Sequence, residues 1–307
     1  MKHTIKLILS SSAFACVLAV STALAQQDSG FYRPFTLTLA AADAAASGGG
    51  GAEGDDGGKA SQETLAKAAQ NPAAKMISVP FENNFNFGVG PNDATQYILN
   101  IQPVIPIGLS ENWNLITRTI MPIINQPSPA PGVPGVSGLG DINTTLWLSP
   151  AKPGKLIWGL GPILTFPTGT DPMLGSGKWS AGPSALALTK QGHWVIGVLF
   201  NQQWSYAGWG DNDVSSMLIE PIINYNLSHG WYLFTYPKFT ANWKANSDDR
   251  WTVPVGAGVG KVQHIGKQPM NFQLSAYGNV VKPDNGLTGS SVSRSSSCFQ
   301  NEEFDSA

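Results

Sequence analysis

The chain has 307 residues, a formal net charge of −2 and only 12% charged residues, roughly half the share of a soluble globular domain. That near-neutral balance comes without a basic cluster, which excludes nucleic acid as a partner. Cysteine occurs only at Cys16 and Cys298, so a disulfide framework and a cysteine metal cluster are excluded, and no cofactor is expected.

Residues 1–25 read as a secretory signal peptide: Lys2 and Lys6 give a positive start, Leu7 to Val20 is an apolar stretch diluted by Ser and Ala, and Ala23-Leu24-Ala25 is a cleavage site before Gln26. Cys16 raises the alternative of a lipoprotein, but Ala13-Phe14-Ala15 lacks the leucine usual at the third position back. No later stretch approaches the roughly 18 apolar residues of a membrane helix, so a bilayer crossing would have to use strands. Residues 26–60 are expected to be a disordered Gly-rich extension centred on SGGGGAEGDDGG (47–58), which has nothing to bury. A short helix is expected over 61–75, with Ser61 as N-cap, Glu63 in the first turn and Pro72 as the stop. Its apolar stripe (Leu65, Ala68, Ala69) is narrow, which favours the periplasm over a plug in a lumen.

From position 76 to 286 one pattern recurs: eight to thirteen residues of alternating apolar and polar side chains, then a turn. In FENNFNF (81–87), Phe81, Phe85 and Phe87 share one face, and Glu82, Asn84 and Asn86 the other. Strands are expected over 77–87, 95–107, 113–125, 139–149, 155–166, 178–189, 193–206, 214–226, 230–242, 251–262 and 269–281. Compact connections such as GLSEN (108–112), AKPGK (151–155) and LSHG (227–230) alternate with mostly longer ones such as QPSPAPGVPGVSG (126–138) and PTGTDPMLGSGK (167–178). Short periplasmic turns and long outer loops are the signature of an outer-membrane barrel. The fold class expected is all-β: an antiparallel transmembrane barrel of about twelve strands, its partners being outer-membrane lipids, the barrel-assembly machinery and a small-molecule solute.

Eleven strands are an odd number, and a barrel with both ends in the periplasm needs an even one. The residues where a twelfth belongs, 287–307, are Ser-rich and atypical, without alternation. Leu287 to Asn301 can be encoded by codons that, read one base earlier, give PDWQLRFQVVLLFPK, an alternating strand opening with Trp and closing on Phe. A frameshifted tail is therefore expected, with the last strand lost and a sheet edge left open in lipid.

The segments AQNPAAKMISVPFENNFNFGVGP (69–91), LITRTIMPIINQP (115–127), GLGDINTTLWLSP (138–150) and NWKANSDDRWTVPVGAGVGKV (242–262) resemble a family of Gram-negative outer-membrane transporters. It is related to the transporters of phenol meta-cleavage pathways, and its members are often mislabelled "neuromedin U". The resemblance covers about residues 61–286 and implies a barrel of about twelve strands passing small hydrophobic or aromatic compounds. It supplies no motif of functional residues, and the family's aromatic-terminated last strand is missing here.

Alternation alone places Glu82, Arg118, Asp141, Asn201, Gln203, Glu220 and Lys238 toward the interior, since Arg or Lys at mid-depth on the lipid face costs about 2–4 kcal/mol. Two compatible readings follow: Arg118 and Lys238 neutralise Glu82, Asp141 and Glu220 in a structural network, or the same charges form a selective constriction. Trp113, Trp179, Trp194, Trp204, Trp231, Trp243 and Trp251 fall near strand ends, where interfacial girdles sit. No catalytic role is expected. His193, His229 and His264 lie in turns, GWGDNDV (with Asp211, Asn212 and Asp213) lacks a calcium loop's remaining ligands, and VGAGVGKV (255–262) lacks the ending of a phosphate loop, its small residues relieving crowding inside the barrel instead. The alternatives to a channel are a structural barrel without transport and a membrane-embedded acyl hydrolase.

Overall fold

The computed structural model describes residues 76–300 apart from positions 91, 153, 211, 212, 267 and 285. The signal peptide, the Gly-rich extension, the helix expected over 61–75 and residues 301–307 lie outside the described residues. Within them run β1 (Met76–Val89), β2 (Ala94–Ile101), β3 (Val104–Gly108), β4 (Trp113–Gln126), β5 (Val136–Leu139), β6 (Ile142–Pro150), β7 (Leu156–Phe166), β8 (Lys178–Gln191), β9 (Trp194–Gly208), β10 (Ser215–Asn226), β11 (Trp231–Thr235), β12 (Phe239–Asn242), β13 (Trp251–Ile265), β14 (Gln268–Val281) and β15 (Gly289–Gln300). No helix among the described residues is long and apolar enough to cross a membrane.

All fifteen segments belong to one antiparallel sheet that closes on itself, through β9–β10 on one side and β14–β15–β1 on the other. Three of the barrel's spans are each broken in two: those expected to be continuous over 95–107 and 230–242, and the one expected over 139–149, whose first part, β5, lies mostly in the connection expected over 126–138. Between β2 and β3 lie Gln102 and Pro103, between β5 and β6 Gly140 and Asp141, and between β11 and β12 Tyr236, Pro237 and Lys238. Proline has no N–H to give a ladder, so the strand bows where Pro103 and Pro237 fall. The two halves still pair with shared neighbours: β2 and β3 with β1 and β4, β11 and β12 with β10 and β13. Counting each broken span once gives a closed twelve-stranded barrel.

The expected loss of the last strand is overturned. Gly289–Gln300 pairs with Met76–Phe87 on one side, and its Gly289–Ser297 stretch pairs with Met270–Gly278 on the other. Ladder hydrogen bonds are made by backbone, and the segment contains no proline to interrupt them. Without it, β1 and β14 would each hold a row of unpaired N–H and C=O groups against hydrocarbon, each costing several kcal/mol. Backbone satisfaction therefore recruits a segment whose side chains carry no alternating signal.

Burial alternates along the strands as a one-sided wall requires: in β14, Asn271, Gln273 and Ser275 are buried, while Leu274 and Ala276 between and beside them are exposed. Phe81, Phe85, Phe87, Leu160, Ile196, Val198, Val255 and Leu274 face outward and are exposed. Trp113, Trp179, Trp194, Trp204, Trp231 and Trp243 are part-exposed near the ends of the wall. Several are braced by neighbouring rings, as in Trp113–Trp158 (5.9 Å), Trp194–Tyr225 (4.8 Å) and Trp243–Trp251 (5.8 Å). Strands of 14 or 15 residues such as β4, β8, β9 and β13 exceed the roughly 9–11 that a tilted strand needs to span a bilayer.

Candidate functional site

Inside the wall the residues divide by sector. From β3 to β10 the inward positions nearest the short turns are apolar: Ile116, Trp147, Leu186, Leu188, Val195, Leu199 and Ile222 form a core whose members are 0–8% exposed. Three polar side chains beside or within it are linked in series. Trp147 Nε1 donates to Ser184 Oγ at 2.8 Å, and Ser184 Oγ donates to Asn201 Oδ1 at 2.6 Å.

The sector from β10 round to β1 is different. Here a cavity of about 180 Å³ extends toward the long loops, lined in part by Glu82, Glu220, Phe234, Tyr236, Lys238, Tyr277 and Arg294. The rings beside it are seated on glycine: Gly256, Gly258 and Gly260 of β13 face inward, and a Cβ on Gly260 would collide with the Tyr232 ring and one on Gly258 would lie 2.5 Å from Phe234 Cζ. Leaving out three side chains lets the rings of neighbouring strands lie across the wall. Beneath the cavity, Tyr232, Phe234 and Val262 make a small apolar floor. Tyr232 donates its hydroxyl to Asn271 Oδ1 at 2.6 Å and accepts from Gln273 Nε2 at 2.9 Å.

Glu82 is the centre of the charges and is fully buried. Asn100 and Arg294 are its direct cross-strand partners on β2 and β15. The Arg294 guanidinium forms an ion pair with one carboxylate oxygen, while Lys238 Nζ donates to the other at 3.0 Å and Asn100 Nδ2 lies 3.5 Å from it. Lys238 reaches Glu82 because it sits in the break between β11 and β12, where the chain bows inward. That break is kept satisfied by the Tyr236 backbone N–H, which donates to Tyr277 Oη at 2.9 Å. Tyr236 in turn donates its hydroxyl to Asn224 Oδ1 at 2.5 Å. Arg118 Nη2 donates to Gln102 Oε1 at 2.9 Å, and Glu220, 7% exposed, stands within electrostatic reach of Arg118 and Lys238. Three cations therefore face two carboxylates across this part of the lumen.

Of the residues that alternation singled out, Glu82, Arg118, Glu220 and Lys238 are brought together around the cavity or its rim. Asn201 belongs to the packed sector, through Ser184. Gln203 accepts from Thr165 Oγ1 at 2.5 Å in the same wall. Asp141 does not join the cations: it sits in the break between β5 and β6 and anchors the loop 167–177. Its Oδ1 accepts from Gly169 N at 3.0 Å, and its Oδ2 accepts from Ser176 N at 2.6 Å and Ser176 Oγ at 2.8 Å. Asp is suited to this because a carboxylate in a strand break accepts several backbone donors at once.

Among the lining residues that escaped the sequence reading are Tyr236, Tyr277 and Arg294. Tyr236 shares its parity with Lys238, and Tyr277 shares its parity with Asn271 and Gln273, so alternation held the signal for both. Arg294 escaped because it lies in a segment with no strand-like pattern.

No known family profile matches the sequence, and no curated protein matches it. Among solved structures, the fold is similar to the COG4313 outer membrane channel from Pseudomonas putida F1, with a TM-score of 0.56, 18% identity, and 73% of this chain against 94% of that one. It is also similar to the NanC porin (TM-score 0.48, 8% identity, 73% and 100% covered) and to the CymD monoaromatic hydrocarbon channel (0.41, 10%, 75% and 91%). At 18% identity the likeness to the first of these establishes the fold alone: the chain is a closed antiparallel β-barrel of the kind seen there.

Proposed function

We propose that the chain sits in the outer membrane and passes small hydrophobic or aromatic molecules through its lumen without covalent chemistry. The observation that carries this reading is the cavity. It combines a ring-bearing wall (Phe234, Tyr236, Tyr277) with charges that line it above an apolar floor, inside a barrel whose outer face is apolar and flanked by tryptophans. Aromatic faces contact an apolar ring, and the charges offer hydrogen bonds to a polar group carried on that ring, such as a phenol hydroxyl. Entry of radiolabelled phenol and radiolabelled glucose into porin-deficient cells, with and without the expressed chain, tests the proposal. Faster entry of phenol over glucose supports it, and equal acceleration of both removes solute selectivity.

The packed sector supports a second reading, a structural barrel without transport, because Trp147 and its neighbours leave that part of the lumen dry. Entry rates identical with and without the chain would favour it.

A further inference from the structure

The barrel register supplies an observation about β15 that composition does not. Ser291, Ser293 and Ser295 pair with Phe85, Asn83 and Phe81 of β1 and with Ala276, Leu274 and Phe272 of β14. They therefore occupy the lipid-facing parity, together with Gly289 and Ser297. A polar stripe one strand wide thus runs down an otherwise apolar wall, where hydroxyls meet hydrocarbon instead of water. Ser290, Val292, Arg294 and Ser296 take the inward parity, and the first three line the cavity.

We infer that residues 287–301 are the out-of-frame product of a strand that originally closed this barrel with an apolar outer face. Serine's TCN codons, read one base earlier, become NTC, which specifies Phe, Leu, Ile or Val and nothing else. A strand rich in those residues and written with C-ending codons turns Ser-rich when read one base late, which accounts for the composition. With the codon set that yields PDWQLRFQVVLLFPK, positions 289, 291, 293, 295 and 297 become Trp, Leu, Phe, Val and Leu in the earlier frame. Positions 290, 292 and 294 become Gln, Arg and Gln. With those codons apolar residues fall at the five outward positions and polar ones at 290, 292 and 294, while the inward Ser296 becomes Val; this sorting requires an AGC codon at Ser290 and TCN codons at Ser291, Ser293, Ser295 and Ser297. The consequence for the site is specific. Arg294→Gln and Val292→Arg move the guanidinium from opposite Glu82 to opposite Asn84, one inward rung toward the long loops, and Ser290→Gln fills the cavity mouth.

Two measurements decide it. The first is the nucleotide sequence of the gene, which must carry at Leu287–Asn301 a codon set compatible with the earlier frame; one incompatible codon overturns the inference. The second compares this chain with one carrying PDWQLRFQVVLLFPK in place of residues 287–301, by heat-modifiable mobility of membrane-extracted protein. The restored chain is expected to give on the order of tenfold more folded barrel, since polar groups on a lipid wall destabilise it; an equal yield overturns the inference. A third chain with Ser291→Leu, Ser293→Phe, Ser295→Val and Ser297→Leu isolates the lipid face and is expected to recover most of the gain. These readouts report folding, so they stand or fall separately from transport.

Discussion

The sector of the lumen from β3 to β10 and the sector from β10 round to β1 share one sheet and one alternation, yet they fill the interior by opposite means. In the first, inward positions carry Ile, Leu, Val and a fully buried Trp, and the lumen is packed as a globular core is. In the second, three inward glycines give room for rings to lie against the wall, and the open space beside them is bounded by rings and by charges that satisfy one another. The contrast shows how a narrow barrel can take its rigidity from one wall while keeping open space along the other.

The packed sector is the one that substitution should damage most. Trp147→Ala removes the largest buried side chain there and the hydrogen bond that Ser184 Oγ accepts from it, so a loss of about 3–5 kcal/mol is expected. Urea unfolding in detergent micelles, followed by tryptophan fluorescence and gel mobility, measures it. A loss below about 1 kcal/mol would show that this side of the lumen is wet, and the contrast between the sectors would be gone.

Glu82→Gln probes the other sector. It leaves Arg294 and Lys238 facing each other without their shared carboxylate. Breaking a buried pair costs about 3–5 kcal/mol. Both cations retain some access to water, so about 2–3 kcal/mol is expected after allowing for solvent screening. The double variant Glu82→Gln/Arg294→Gln removes one of the two uncompensated charges, and recovery of part of the loss in the same unfolding experiment is the expected sign of coupling.

How much of this was legible beforehand differs between the same two regions. Where inward positions are polar, as in FENNFNF, period-two alternation identifies the wall and its inner face directly, and Glu82 and Lys238 follow from parity. In β8, SALALTK (184–190) has Leu on the inner face and Ala on the outer, so polarity does not distinguish lumen from lipid, and the packed core was invisible. Asp141 was legible as an inward charge but not as a loop anchor, because its partners Gly169 and Ser176 are about 30 residues away and are set by how a long connection folds back. The closing strand was illegible for a different reason: its place is fixed by the unpaired edges of β1 and β14, a demand made by backbone and lipid that side chains do not announce.

Gly260→Ala sharpens the comparison at the boundary of the cavity. The added methyl meets the Tyr232 ring, whose hydroxyl is fixed by Asn271 and Gln273 and which has no room to retreat. A loss of about 1–3 kcal/mol is expected from overpacking, whereas Gly278→Ala on β14, where nothing lies within 4 Å of the new methyl, is expected to be neutral or nearly so. Equal losses at both positions would mean that strand glycines matter here for backbone freedom and not for making room.

The smallest expected effect separates a ring that packs from a ring that also repairs the backbone. Tyr277→Phe keeps the aromatic wall of the cavity and removes only the hydroxyl that accepts the Tyr236 N–H in the break between β11 and β12. An unsatisfied buried donor costs about 1–3 kcal/mol. The cavity beside Tyr236 admits water to replace part of that bond, so the loss is expected at the low end, about 1 kcal/mol. Because the break places Lys238 over Glu82, the same variant is also expected to loosen that pairing, seen as faster amide hydrogen exchange at Tyr236 and Lys238 than at β4. Unchanged exchange at those two residues would mean that Pro237 alone holds the bow, and Tyr277 would then be a wall residue only.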